Sequence, residues 1–528
     1  MTRGALLVGW DGATWDLLDP MLAAGRLPHL AGLIERGVRA PLRSTIPPVT
    51  PAAWTEMATG LNAGRTGVLG FRDLDLTRRS GFSARAPSSA DLVGRTLFEW
   101  AAGQGATVAL VGWPMTFPAF PFPGGALLAG WPRPRADRPP VAPAALDADG
   151  RLGDWDVGDP RPRRRAATLD QEIVAESWWD RRHAEIAQLW IRTRAPDLAA
   201  VVLSGTDHLA HHLWGDPRLE DHFQRADDLL GSLIEAAGER PVMLVSDHGF
   251  GPAASRVVHL NRALETGGWC RTRPSGGDVG ALGRALKGAR RAAPKGAWRA
   301  LRDRLPHAVR RWGFERAAGT DRFDPEATRA FAVELHEAFV GVHLCVRGRM
   351  PDGVVDPADV PALRARLAAD LEALVDPEGR PLVTSVQPRE ALYDGPRLDR
   401  IPHLLVELAG DCRWGDGAGP GPVVEAVDPA PRALRPGSHR RDGVVVLAGP
   451  GVRPDAPPSN ATVRDVGLTL LAMAGLPVPE GRDGRVWTES LVAPPRWVAD
   501  ASAGGSGAAP TPAEQAAMDD ALRGLGYL

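Results

Sequence analysis

The chain has 528 residues, with 62 Lys and Arg against 64 Asp and Glu, a formal charge of −2, 44% hydrophobic and 24% charged residues. That balance excludes disorder over most of the length and nucleic-acid binding through whole-molecule charge, and the length suits one large domain with insertions or two to three smaller ones. Three scattered cysteines, Cys270, Cys345 and Cys412, exclude a disulfide framework or a Cys-rich metal knuckle, and no apolar run is long enough for a transmembrane segment.

In chain order, continuous apolar runs rich in Val and Leu fall at residues 5–9 (ALLVG), 107–112 (TVALVG), 199–203 (AAVVL), 242–245 (VMLV), 404–408 (LLVEL) and 444–448 (VVVLA). Continuity rather than alternation predicts strands buried on both faces of a parallel sheet. Helical patterns lie between them at 30–36, 168–194, 220–237, 361–374 and 463–474. The alternation predicts an α/β doubly wound fold, a mostly parallel sheet with helices on both faces. The first run meets Trp10-Asp11-Gly12 after about half a dozen residues, too short for a signal-peptide core, so a cytoplasmic protein is expected.

We expect catalytic segments over 1–270 and 326–495, separated by a basic helical cap at 271–325. An irregular Pro/Arg-rich insertion covers about 131–165, and a Gly/Ser/Ala-rich linker with a C-terminal helix fills 496–528. Residues 271–316 carry thirteen Lys/Arg against three acids, with Trp298, Leu301, Leu305, Val309 and Trp312 near helical spacing. The segment reads as a helical cap packed on the domain, or else as a contact for an anionic substrate or surface. The tail helix either docks back or caps an oligomer contact; the sequence leaves the oligomeric state open.

Functional groups of parallel α/β sheets collect at the carboxyl ends of strands. Here Asp11 ends the first run, Asp207 and His211 follow the third, and Ser246-Asp247-His248-Gly249 ends the fourth, while Gly437-Ser438-His439 precedes the last. Each motif alone reads equally as a cap, a turn or a surface histidine. Together they supply three carboxylates and three imidazoles, a set that suits divalent zinc where thiolates are absent, with manganese accepted by the same atoms. Six ligands can seat two metals, which clamp the attacking and leaving oxygens of a phosphoryl displacement. The hydroxyl best placed as nucleophile is Thr50, just ahead of a helix that Pro51 can start; Ser44, Thr45, Thr55 and Thr59 are rivals that spacing does not remove.

These motifs, in this order, resemble the alkaline phosphatase superfamily and, within it, the type I phosphodiesterase/nucleotide pyrophosphatase group. Gly9-Trp10-Asp11-Gly12 is similar to its metal-binding Asp after the first strand, and Thr50, ten residues before Gly60, has its nucleophile-to-Thr-Gly spacing. Asp207…His211, Asp247-His248-Gly249 and Gly437-Ser438-His439 are similar to its remaining metal motifs. The resemblance implies one zinc on Asp207, His211 and His439 and another on Asp11, Asp247 and His248. It further implies a phosphothreonine intermediate on Thr50 and a small phosphorylated substrate such as a nucleotide. The departure is Ala53, where that group carries an Asn on the phosphoryl oxygen. Asn62, a backbone N–H or another group could take over, and Trp54 and Trp113 could line a leaving-group pocket, with core packing as their alternative.

Other signals fail. His336-Glu337 opens like a zinc-protease helix, but position 340 is Val. No cysteine sits in a sulfatase context, and neither a Walker loop nor a Gly-x-Ser-x-Gly elbow is present. Phosphodiester or pyrophosphate hydrolysis is therefore expected. A phosphomonoesterase or phosphotransferase on the same site is one alternative, and an inactive metal-binding relative acting as a binding module is another.

Overall fold

A computed structural model describes residues 4–71, 87–92, 96–130, 141–143, 168–273, 323–350, 352–427 and 435–500, with a few positions between 511 and 522. The chain lays down β1 (Ala5–Trp10), β2 (Gly37–Arg43), β3 (Val108–Trp113), β4 (Gly125–Ala129), β5 (Val141–Ala142), β6 (Leu198–Leu203) and β7 (Val242–Val245). It then leaves the sheet through β8 (Gly249–Pro252) and β9 (Arg256–Val258). A second sheet follows, of β10 (Ala330–His336), β11 (Phe339–Leu344), β12 (Val383–Pro388) and β13 (Leu404–Leu408). After β14 (Cys412–Trp414), β15 (Val424–Ala426) and β16 (Gly437–Arg440), β17 (Asp442–Ala448) returns to the first sheet.

The first sheet has eight strands in the order β2-β17-β7-β1-β6-β3-β4-β5. From β7 to β4 every pair is parallel, so the predicted α/β architecture is present. Side chains of β1 alternate between two cores, as the pleat requires. Ala5 and Leu7 join Trp54, Met57, Phe98 and Val466 on one face. Leu6, Val8 and Trp10 join Leu30, Trp179 and Phe223 on the other. Burial on both faces is why the run reads as continuous rather than alternating.

Two strands depart from expectation. β17 runs antiparallel to both β7 and β2. Residues 404–408 form β13 in the second sheet, whose order β10-β11-β13-β12 is antiparallel throughout. The second sheet has its own core of Phe331, Val340, Leu367 and Val406. Of the insertion at 131–165 only residues 141–143 are described, and of the basic segment 271–316 only 271–273; the rest lies outside the described residues. The tail docks back. Met518 packs on Phe117 and Ala129, and Leu522 on Val49, Ala52 and Met115. Among the described residues, no helix is long and apolar enough to cross a membrane.

Candidate active site

The carboxyl ends of β1, β6 and β7 lie side by side at the middle of the sheet, and each hands over to a segment bearing predicted ligands. Asp11 follows β1 directly, and Gly12 turns the chain at φ 70°, where a Cβ would lie 3.3 Å from the Asp207 backbone. After β6, Asp207 and His211 share one face of the helix Gly205–Leu213, four residues apart. Its start is tied down by Gly205 N–H donating to Asp180 Oδ1 at 3.1 Å, with Asp180 Oδ2 3.1 Å from His222 Nε2. Just after β7, the Ser246 hydroxyl donates to Ala13 O and accepts from Val444 N–H, both at 2.8 Å, tying the turn after β1 and β17 to the segment of Asp247 and His248. His439 comes from β16, paired antiparallel with β8 opposite Phe250.

All six predicted ligands converge, each 2% exposed or less. Ligand atoms of Asp207, His211 and His439 lie within 4.8 Å of one another, as do those of Asp11, Asp207 and His248. Asp247 Oδ2 stands 3.4 Å from His248 Nε2, and Asp207 lies between the two groups. The imidazoles are aimed by backbone carbonyls: His439 Nδ1 on Pro48 O at 2.9 Å, His248 Nδ1 on Gly249 O at 3.0 Å, and His211 Nδ1 on Gly437 O at 3.3 Å. With Nδ1–H so committed, each Nε2 presents a bare lone pair to the centre. His211 Nε2 and His439 Nε2 then face each other at 3.0 Å, an arrangement that a proton or a metal ion between them would stabilise. Asp11 Oδ1, Asp247 Oδ2 and His248 Nε2 are buried without a hydrogen-bond partner. The nitrogen and oxygen donors, and their orphaned atoms, fit divalent metal.

The electrostatics agree. Burial first, and then the neighbouring carboxylates Asp247 and Asp207, push Asp11 well above the usual carboxylate range. Burial also raises Asp247. Burial alone would raise Asp207 too, but His211, His439 and His248 outweigh it and hold that carboxylate well below its ordinary value. His439 is pushed to about 4 by burial and His248, and His211 is lowered by burial. Neutral imidazoles are the form that binds metal, and a dication would remove the mutual repulsion of the acids.

Thr50 is the first residue of the helix Thr50–Thr59, with Pro51 behind it; Val49 is the N-cap, so Thr50 is not a simple capping residue. Two tethers hold this helix start to the ligands: His439 on Pro48 O, and Trp54 Nε1–H donating to Asp11 Oδ2 at 3.2 Å. Among the rivals, Thr45 donates to Pro47 O and Thr59 to Thr55 O. Ser44 and Thr55 have hydroxyls buried without a partner.

Residues 5–418 match the type I phosphodiesterase/nucleotide pyrophosphatase family. The chain belongs to this family. Its members are metal-dependent hydrolases of phosphoric ester bonds. The match ends before His439, whose place in the cluster rests on geometry alone. Phosphonoacetate hydrolase from Sinorhizobium meliloti 1021, in complex with phosphonoacetate, is similar at 16% identity and TM-score 0.56, covering 89% of this chain and 96% of that one. At that identity the likeness shows the alkaline-phosphatase-like fold. Murine ectonucleotide pyrophosphatase/phosphodiesterase 5 in complex with AMP is 13% identical, covering 90% of this chain and 95% of that one, at TM-score 0.46. No protein of curated function matches.

For this phosphodiesterase-family chain, the residues expected to touch substrate are placed otherwise. Trp54 and Trp113 are core residues packed edge to face at 4.9 Å, with Phe98 on the far side of Trp113, because the helix Thr50–Thr59 turns its indole into the sheet. Trp54 reaches the site only through its N–H to Asp11. Asn62 is occupied: Oδ1 accepts from Gly64 N–H, while Nδ2 donates to Asp394 and Asp483 at 2.6 and 2.8 Å. Sequence reasoning missed His336, the last residue of β10, whose ring centre lies 4.4 Å from that of His439. The incomplete zinc-protease motif includes that residue but does not place it beside His439.

Proposed function

We propose that this chain hydrolyses phosphodiester or pyrophosphate bonds of a small phosphorylated substrate, a nucleotide among the candidates, through a phosphothreonine formed on Thr50. The observation that carries the reading is the inward turn of three Nε2 lone pairs and three carboxylates, on the spot to which the Thr50 helix is tethered. Asp207, His211 and His439 would hold one divalent ion and Asp11, Asp247 and His248 another, zinc by donor type, with manganese acceptable. When bound, the ions supply positive charge for the phosphoryl oxygens and for the attacking hydroxyl.

The chain's own part follows from placement. The start of the Thr50 helix directs backbone N–H groups toward an anion, and Thr50 Oγ attacks phosphorus as its proton departs. The Oγ–P bond forms, the bond to the leaving oxygen breaks, and that oxygen takes a proton. Water then adds to phosphorus from the opposite side, the Oγ–P bond breaks, and Thr50 regains its proton as product leaves. Carbonyls on each Nδ1 keep the three imidazoles from rotating during both steps.

A second reading, monoesterase or phosphotransferase, is favoured by one observation: Ala53 carries no polar group, and Asn62 is committed to Asp394 and Asp483. Hydrolysis of a chromogenic diester beside its monoester, with zinc-loaded wild type and Thr50→Ala, separates the readings. A diester preference that vanishes in the variant supports the proposal. A monoester preference favours the second reading, and equal activity of variant and wild type removes Thr50 from the mechanism.

A further inference from the structure

We propose that His336 is a substrate-binding residue whose imidazole donates a hydrogen bond to a phosphoryl oxygen. The inference rests on the phosphoesterase reading of the site and adds to it a contact supplied by the second sheet.

The local fold goes to some length to put this imidazole where it is. The pairing of β10 with β11 slips between Glu334 and His336, a bulge that turns His336 out of the strand's alternation. Bulges beside active sites commonly re-aim one side chain in this way. The next residue, Glu337, sits at φ 39°, a conformation that L-residues with side chains avoid and that the surroundings must enforce. They do so twice. Trp414 N–H donates to Glu337 O at 2.7 Å. The Glu337 carboxylate accepts from the hydroxyl of Ser438, the residue before His439. The turn of the second sheet is therefore pinned to the strand that carries a metal ligand.

The result is an imidazole 8% exposed, its ring centre 4.4 Å from that of His439 and its Nε2 buried without a partner. Leaving a buried nitrogen unpaired costs about 1–3 kcal/mol unless a ligand pairs it. An imidazole, neutral or protonated, has an N–H to give. His336 belongs to neither converging ligand group, so its place beside the cluster is that of a donor to what the metals bind. On the nucleophile's own helix, Ala53 offers no such donor.

The test uses the full-length, metal-loaded protein with His336→Phe, which keeps a ring against His439 without the donor, and His336→Asn, which keeps an N–H. Metal content, affinity for inorganic phosphate by calorimetry, and kcat and KM on a chromogenic diester are read for each. His336→Phe should retain its metals and bind phosphate about tenfold or more weakly, the loss expected for one hydrogen bond to a charged group, and His336→Asn should recover part of it. Phosphate affinity within about twofold of wild type in His336→Phe overturns the inference. Loss of a metal in either variant overturns it too, by making His336 a ligand or its support. If wild type binds phosphate and turns over the diester while both variants match it, only this inference falls. If wild type does neither, the reading of the whole site falls with it.

Discussion

Replacing Trp54 by Phe removes one N–H and part of a ring, and the effect on metal affinity can be read apart from the effect on stability. The indole donates to Asp11 Oδ2 at 3.2 Å, with Trp54 0% and Asp11 2% exposed, so water has no access to replace it. A hydrogen bond to a charged group is worth about 1.5–3 kcal/mol. The smaller ring also leaves a void against Trp113, 4.9 Å away, at a cost on the order of 1–2 kcal/mol. The void lowers stability with or without metal. The hydrogen bond instead aims Asp11, and partners that orient a ligand are worth about 10–100-fold in metal affinity. Competition against a chromogenic zinc chelator should therefore show one metal weakened by about that factor while the ion proposed on Asp207, His211 and His439 is retained. Urea melts of the metal-free protein would report the void and the lost hydrogen bond together, while the chelator competition isolates the effect on Asp11 as a ligand. A destabilised variant with both affinities intact refutes the orienting role. Gly9→Ala is the companion: its Cβ would come within 2.5 Å of the Trp54 ring, and should shift the indole and cause the same selective loss with the N–H still present.

Three further outcomes are expected. Thr50→Ala should keep its metals and phosphate binding while losing turnover by about a thousandfold or more, with Thr50→Ser partly active; metal loss in Thr50→Ala would contradict this. Gly205→Ala places a Cβ 2.4 Å from Asp180 Oδ2 and should displace the helix bearing Asp207 and His211. Chelator competition should then show weaker metal binding, whereas Gly32→Ala, with nothing within 4 Å, should leave it unchanged and raise stability by about 0.5–1 kcal/mol. Acid should destabilise the protein even without metal, because His343 on β11 and His403, just before β13, are buried and pushed to about 3 and about 2, by burial first and Arg349 next. The unfolded chain protonates them below 6.5 while the folded one does not. Stability is thus full above that pH and falls below it by about 1.4 kcal/mol per unit per histidine. A urea midpoint that stays flat from pH 7 to about pH 5 would count against it.

Much of the candidate site is legible in the sequence because its candidate ligands are side chains placed next to recognisable strands. Asp11, Asp207 and Asp247 each follow a continuous apolar run, and the spacing of Asp207 and His211 already puts both on one helical face. What holds them is not legible. The carbonyls of Pro48, Gly249 and Gly437 that aim the imidazoles belong to the backbone, and no residue type announces them. The Asp180–His222 support of Gly205 joins residues 42 apart on different helices, a distance only the fold closes. Residues 404–408 are buried on both faces of β13, Leu404, Val406 and Leu408 in one core and Leu405 in another, so the run reads like a strand of the parallel sheet although its neighbours are antiparallel.

Strand direction shows the same limit and explains an oddity of the motifs. A strand buried on both faces reads identically whichever way it runs, so residues 444–448 read as one more parallel member. Yet three ligand motifs follow their strands and Gly437-Ser438-His439 precedes its own. In a parallel β17, that motif would enter at the amino-terminal edge, a sheet's height from Asp11. Because β17 runs against β7, its start lies at the edge where β1, β6 and β7 end, and His439 arrives 3.2 Å from Asp207. The inverted order of motif and strand was thus the sequence's only record of an antiparallel strand, and the site exists because that strand is inverted.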